Sequence, residues 1–86
     1  MRLIYFRASW CGSCKSFTPV IEKLKSEGYE IQIIDTDKNK DLATQHKVTS
    51  LPTTIILLNE KEVNRFIGAI SEDKLRKQLP PNYRLW

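Results

Sequence analysis

Trp10-Cys11-Gly12-Ser13-Cys14 contains both cysteines of the chain, and its surroundings decide the fold. Upstream, Leu3 to Phe6 is a short apolar run of strand length; downstream, Phe17, Val20, Ile21 and Leu24 recur at helical spacing. The motif therefore reads as a strand-to-helix corner, with Cys11 at the mouth of the helix and Cys14 one turn inside. Two thiols so placed can close a small disulfide without moving the scaffold. Backbone N–H groups at a helix start are unpaired and carry partial positive charge, which stabilises a thiolate. Cys11 is thus expected to be the acidic thiol, drawn below its ordinary alkaline range. The thiolate is the form that attacks disulfides. Cys14, deeper in the helix, is expected to be shielded and to resolve the mixed disulfide.

The chain has 86 residues, a length that fits one compact domain spanning 1–86. Its 41% hydrophobic and 28% charged residues are those of an ordinary globular protein. The formal charge of +4 comes from 14 basic and 10 acidic residues. Lys38, Lys40 and the Arg76-Lys77 pair are spread among acids and apolar residues, so nucleic-acid binding is not expected. The apolar stretch within Met1–Arg7 is too short for a secretory signal, and no segment approaches a membrane span. A cytoplasmic, membrane-free monomer is expected. With only two cysteines in a reducing compartment, a catalytic or redox-sensing role is favoured over a disulfide scaffold.

The first strand, Arg2 to Ala8, has aromatic and branched residues at successive positions, which suits burial on both faces. The helix then runs from Gly12 to about Ser26 and stops at Glu27-Gly28. Pro19 inside it should bend the helix rather than break it, because the apolar spacing continues through Ile21 and Leu24. A second strand over Tyr29 to Asp35 then lies parallel to the first by a right-handed crossover. Asp37 to Lys47 reads as a polar helix with Asp37 as N-cap and Leu42 and Ala43 inward. His46, the lone histidine, reads as a surface residue rather than a proton shuttle. Pro52 opens a strand through Leu58; Asn59-Glu60-Lys61 is a turn, and Glu62 to Ile67 forms the second arm of a hairpin. Gly68 suggests a bulge or a close backbone approach. Ser71 caps a final helix with Leu75 and Leu79 inward, ended by Pro80-Pro81, and Tyr83, Leu85 and Trp86 of the tail are expected to cover apolar surface.

Taken together, Trp10-Cys-Gly-X-Cys14-Lys15, the helical Pro19, Ser50-Leu51-Pro52-Thr53 before the hairpin and Ile67-Gly68-Ala69 before the last helix resemble the thioredoxin family over nearly the whole chain. The resemblance implies an α/β minimal thioredoxin fold, βαβαββα, with a central four-stranded mixed sheet flanked by three helices; the family's first strand and helix are missing. It implies a protein-disulfide reductase with Cys11 as nucleophile, Cys14 as resolving thiol and Pro52 as the cis-proline facing them. Leu51 would offer its backbone to an extended substrate. Trp10, Gly12, Ser13, Gly68 and Ala69 would line the groove around Cys11. No cofactor or metal is implied beyond the disulfide itself. The partners would be thioredoxin reductase or a similar reductase and disulfide-containing clients such as ribonucleotide reductase.

Three positions depart from the family's pattern. Tyr5 stands where thioredoxins usually carry a buried aspartate, and Ile33 where a lysine accompanies it, so Cys14 must lose its proton to water, Tyr5 or another group. Ser13 replaces the usual proline, adding a hydroxyl and an N–H near Cys11 that favour the thiolate. A redox potential less negative than that of typical thioredoxins is expected. Glutaredoxin is the rival within the fold, but Cys-Gly-Ser-Cys, Ser50-Leu51-Pro52 and Gly68-Ala69 differ from its usual motifs. A metal-binding or structural module is the remaining alternative; two cysteines and one distant histidine fall short of a closed zinc site.

Overall fold

The computed structural model describes residues 1–79. The sequence-based expectations for Pro80-Pro81 and for Tyr83, Leu85 and Trp86 lie outside the described residues. The element order is β1 (Arg2–Arg7), α1 (Gly12–Ser26), β2 (Ile31–Asp35), α2 (Lys40–Gln45), β3 (Thr53–Leu58), β4 (Lys61–Ile67) and α3 (Glu72–Arg76). The strands form one sheet in the order β2-β1-β3-β4, with β1 parallel to β2 and antiparallel to β3. This is the expected βαβαββα mixed sheet with three helices.

Because strand side chains alternate, β1 feeds two cores. Leu3 and Tyr5 pack with Phe17, Ile21 and Leu24 of α1 and Leu75 of α3, while Ile4 and Phe6 pack with Ile34, Ile55 and Leu57 beneath α2. Leu42 and Ala43 rest on the second core as expected. His46 is half-buried rather than a plain surface residue, its ring stacked at a tilt on Phe6 with centroids 5.7 Å apart.

α1 runs unbroken through Pro19 and stops where the sequence indicates. Gly28 takes a φ of 109°, its N–H donates to the Lys25 carbonyl, and the Tyr29 N–H reaches back to Leu24. That pairing, with Tyr29 and Leu24 both in the core, is a Schellman stop. Ser71 caps α3 through its Oγ, which accepts the Lys74 N–H at 3.1 Å.

Three local readings are corrected. Asp37 does not cap α2: the cap is Asn39, whose side chain makes no capping bond to the helix and instead donates from Nδ2 to the Asp35 carbonyl at 3.4 Å, and the helix shrinks to Lys40–Gln45. Asp35 takes over the turn instead, its Oδ1 accepting the Asp37 N–H at 2.9 Å and its carbonyl accepting the Lys38 and Asn39 N–H groups. The hairpin turn is two residues, not three, with Asn59 and Glu60 both at positive φ, as the twist of paired strands favours. The bulge is not at Gly68: the register shifts between Ile56 and Leu57, which face Asn64 and Glu62 and leave Val63 unmatched.

Thr54 lies opposite Tyr5 and Phe66 in the sheet, fully buried, and its hydroxyl has no hydrogen-bond partner among the described residues. A buried hydroxyl in that state opposes folding. Thr54→Val replaces it with a methyl of similar shape and should stabilise the chain by about 1 kcal/mol, raising Tm by roughly 4–8 °C. Denaturant unfolding at unchanged slope would register this, and a loss of stability would contradict it.

Arg76 joins α3 to the end of α1. Its guanidinium holds Glu27 through two bonds of 2.9 and 2.7 Å and Glu72 through one of 2.8 Å. Hydrogen bonds from Arg76 hold both carboxyls below the usual carboxylate range. Arg2 does the same for Glu60, and Arg65 for Glu62. The folded chain thus releases these protons more readily than the unfolded chain, so the stabilisation is present above the ordinary carboxylate value and is lost as pH falls through the lowered ones. Tm is expected to be flat from neutral pH down to about 5 and to fall below about 4.5, with a shallower fall in Arg76→Met. An equal acid slope in the variant would remove Arg76 from the explanation.

Candidate functional site

The corner after β1 brings the two cysteines together. Cys11 and Cys14 are paired as a disulfide, with Cα atoms 5.2 Å apart. Cys11 has extended backbone angles and is the N-cap of α1: its Sγ accepts the Cys14 N–H at 3.2 Å. A helix N-terminus thus points an amide at this sulfur, and no acidic residue occupies the first turn to compete for it. The Ser13 Oγ lies 3.5 Å from the same sulfur. Cys11 is 7% exposed and Cys14 fully buried, so the outer sulfur is the one that faces an incoming molecule.

Leu51 packs against Ala8, Cys11 and Cys14, and the peptide joining it to the buried Pro52 is cis. The Pro52 carbonyl accepts the Gly68 N–H at 2.7 Å, which draws the start of the Gly68-Ala69 segment to the proline. Gly68 has a φ of 93°, and a Cβ there would meet nothing within 4 Å, so the backbone angle rather than space calls for glycine. Gly12, Ser13 and Ala69 are exposed. Trp10 is 68% exposed, unusually open for a residue of its size. Its Nε1 donates to Asp37 Oδ2 at 2.9 Å, which is where the carboxylate expected to cap α2 is used. His46 sits on the opposite side of the sheet from α1, against Phe6.

The sequence reading did not foresee the Asp37 contact, nor a hydroxyl pair behind Cys14. Thr18 Oγ1 donates to the Cys14 carbonyl at 2.7 Å, and the Tyr5 hydroxyl lies 3.0 Å from Thr18. The signal for Thr18 was present, since it stands four residues after Cys14 on one helix face. Burial pushes the Tyr5 phenol above its ordinary value, partly countered by the Thr18 hydrogen bond and the charge of Arg7. Among the described residues no group of three or more His, Cys, Asp or Glu is placed to hold a metal ion, and no helix is long and apolar enough to cross a membrane.

The Thioredoxin family model matches residues 1–80. The chain belongs to the thioredoxin family. It is 43% identical to Thioredoxin of Chlamydia trachomatis over 77 residues, covering 87% of this chain and 76% of that protein. Among solved structures, thioredoxin of Fasciola hepatica superposes with a TM-score of 0.80 at 40% identity, over 91% of this chain and 78% of the other. Thioredoxin 1 of Thermosipho africanus gives 0.82 at 31%, over 92% and 90%. Thioredoxins are disulfide oxidoreductases, and with its cysteine pair at a helix N-terminus this chain is a thiol–disulfide oxidoreductase.

Proposed function

We propose that this thioredoxin-family chain reduces disulfides in client proteins. The carrying observation is that Cys11 Sγ caps α1 and accepts the Cys14 N–H at 3.2 Å, a setting that favours a thiolate. Cys11 attacks the client disulfide and forms a mixed disulfide; Cys14 then displaces the client and closes the Cys11–Cys14 bond. The client strand lies along Leu51 and Pro52 and over Trp10, Gly12, Ser13, Gly68 and Ala69. The arrangement supports this because Leu51 packs against the cluster of Ala8, Cys11 and Cys14 and the exposed Trp10 ring is tied through its Nε1 to Asp37. The dithiol is restored by a thioredoxin reductase or a similar enzyme, the chain acts as a cytoplasmic monomer without metal or cofactor, and ribonucleotide reductase is a fitting client. NADPH-dependent thioredoxin reductase should drive insulin reduction through this chain; turnover with glutathione alone would replace the proposal by a glutaredoxin-like one.

Ser13 tunes the couple. Its hydroxyl, 3.5 Å from Cys11 Sγ, stabilises the dithiol through the thiolate and makes the couple more oxidising. Ser13→Pro should lower the potential by about 30 mV, equivalent to 1.4 kcal/mol for a two-electron couple. Equilibration against glutathione measures this, and an unchanged or higher value would exclude Ser13 from the tuning.

A further inference from the structure

Cys14 is held on both sides of its backbone. Its N–H is spent on Cys11 Sγ, and its carbonyl receives the Thr18 hydroxyl at 2.7 Å. A hydroxyl has one hydrogen to give, so the 3.0 Å contact between Thr18 and Tyr5 is the Tyr5 O–H donating to Thr18 Oγ1. The same Tyr5 O–H also donates, at 3.4 Å, to the Cys14 carbonyl. Tyr5 itself is fully buried on the central strand, its ring edge-on to Phe17. A continuous connection therefore runs from the sheet through two hydroxyls to the peptide that carries the inner sulfur. Pro19 gives this connection weight: lacking an N–H, it leaves the Lys15 carbonyl without its helical donor, so the first turn of α1 is less firmly tied to the next.

The connection is also uncharged. The charged groups around it are Arg7 on β1 and Lys15 and Glu22 on α1, which line a shallow depression with Thr18, Pro19 and Ile33; β2 and β3 contribute Ile33 and Thr54, which do not titrate. Burial keeps the Tyr5 phenol protonated through the neutral range.

We propose that Tyr5 and Thr18 are positioning residues for the resolving step, a neutral hydroxyl pair that fixes Cys14 against Cys11 without accepting its proton. This rests on the disulfide-reductase reading. In that step the Cys14 sulfur bonds to the Cys11 sulfur, the bond from Cys11 to the client sulfur breaks, and the client leaves with the electron pair. The proton shed by Cys14 passes through solvent to the departing client thiolate, so no further oxidant or base is required.

Single-turnover reaction of the reduced chain with a fluorogenic peptide disulfide separates mixed-disulfide formation from client release. Tyr5→Phe, which keeps the ring, and Thr18→Val should each slow release about tenfold while formation stays within about twofold of the parent. The pH profile of release in Tyr5→Asp should carry an ionisation that the parent profile lacks. A merely structural pair would lower Tm and slow both steps alike, which would overturn the proposal; so would release at the parent rate in folded variants, or identical release profiles in Tyr5→Asp and the parent. If Tyr5→Phe does not fold, Thr18→Val carries the same test. Failure of Cys14→Ser to accumulate any mixed disulfide would instead refute the disulfide-reductase reading.

Discussion

Cys11→Ser should lose disulfide reduction by a factor on the order of 10³ or more, because a serine hydroxyl has no accessible anionic form and the chain has no other solvent-facing thiol. Cys14→Ser should behave differently. Its Cys11 is still capped by the backbone N–H of residue 14, so it should attack at a comparable rate and then stall as a mixed disulfide with the client. The pair of variants separates the two sulfurs: one gives no adduct and the other a trapped adduct, visible as a mass increase that dithiothreitol removes. A Cys11→Ser chain that still reduced insulin would leave the proposed chemistry without a nucleophile. The expected contrast follows from geometry, since the outer sulfur sits at the helix mouth with 7% exposure and the inner one has none.

Phe17→Ala should cost about 3–5 kcal/mol. The ring is 2% exposed, meets Tyr5 edge-on with centroids 5.8 Å apart, and lies in one cluster with Leu3, Ile21, Leu24 and Leu75. Small domains are stable by only about 5–15 kcal/mol, and a chain of this length falls toward the lower end, so the variant should be partly unfolded at 37 °C. Phe17→Leu, which fills most of the space, should cost far less. Urea unfolding of both would decide; a loss below about 1 kcal/mol for the alanine would mean that α1 does not depend on this face.

The elements that could be read from sequence are those whose local and long-range signals agree. α1 was legible at both ends because Phe17, Ile21 and Leu24 mark its buried face while Cys11 and Gly28 mark its limits. Ser71 followed by Glu72 and Asp73 announced α3 in the same manner. α2 was overextended because Asp37 looks like a cap locally, but in the fold its carboxylate is drawn to Trp10, 27 residues away along the chain. None of the α2 residues is fully buried, so periodicity had little to report there. The bulge at Val63 depends on how β4 meets β3, and the strand alone does not encode it. At the site, the two cysteines, Leu51, Pro52 and Gly68 were legible as landmarks. The bond from Gly68 to Pro52 and the Tyr5–Thr18 pair cross between elements, and only the assembled sheet reveals them.

β4 forms one outer margin of the sheet, and it is interrupted at Val63 and lined with Lys61, Glu62, Asn64 and Arg65. Arg65 is tied inward to Glu62 and to the His46 carbonyl, which holds it in place over that margin. A foreign strand adding there would have to straighten the kink and desolvate those charges. The consequence is colloidal: crowded copies of this small chain should not join into ribbons through the β4 margin.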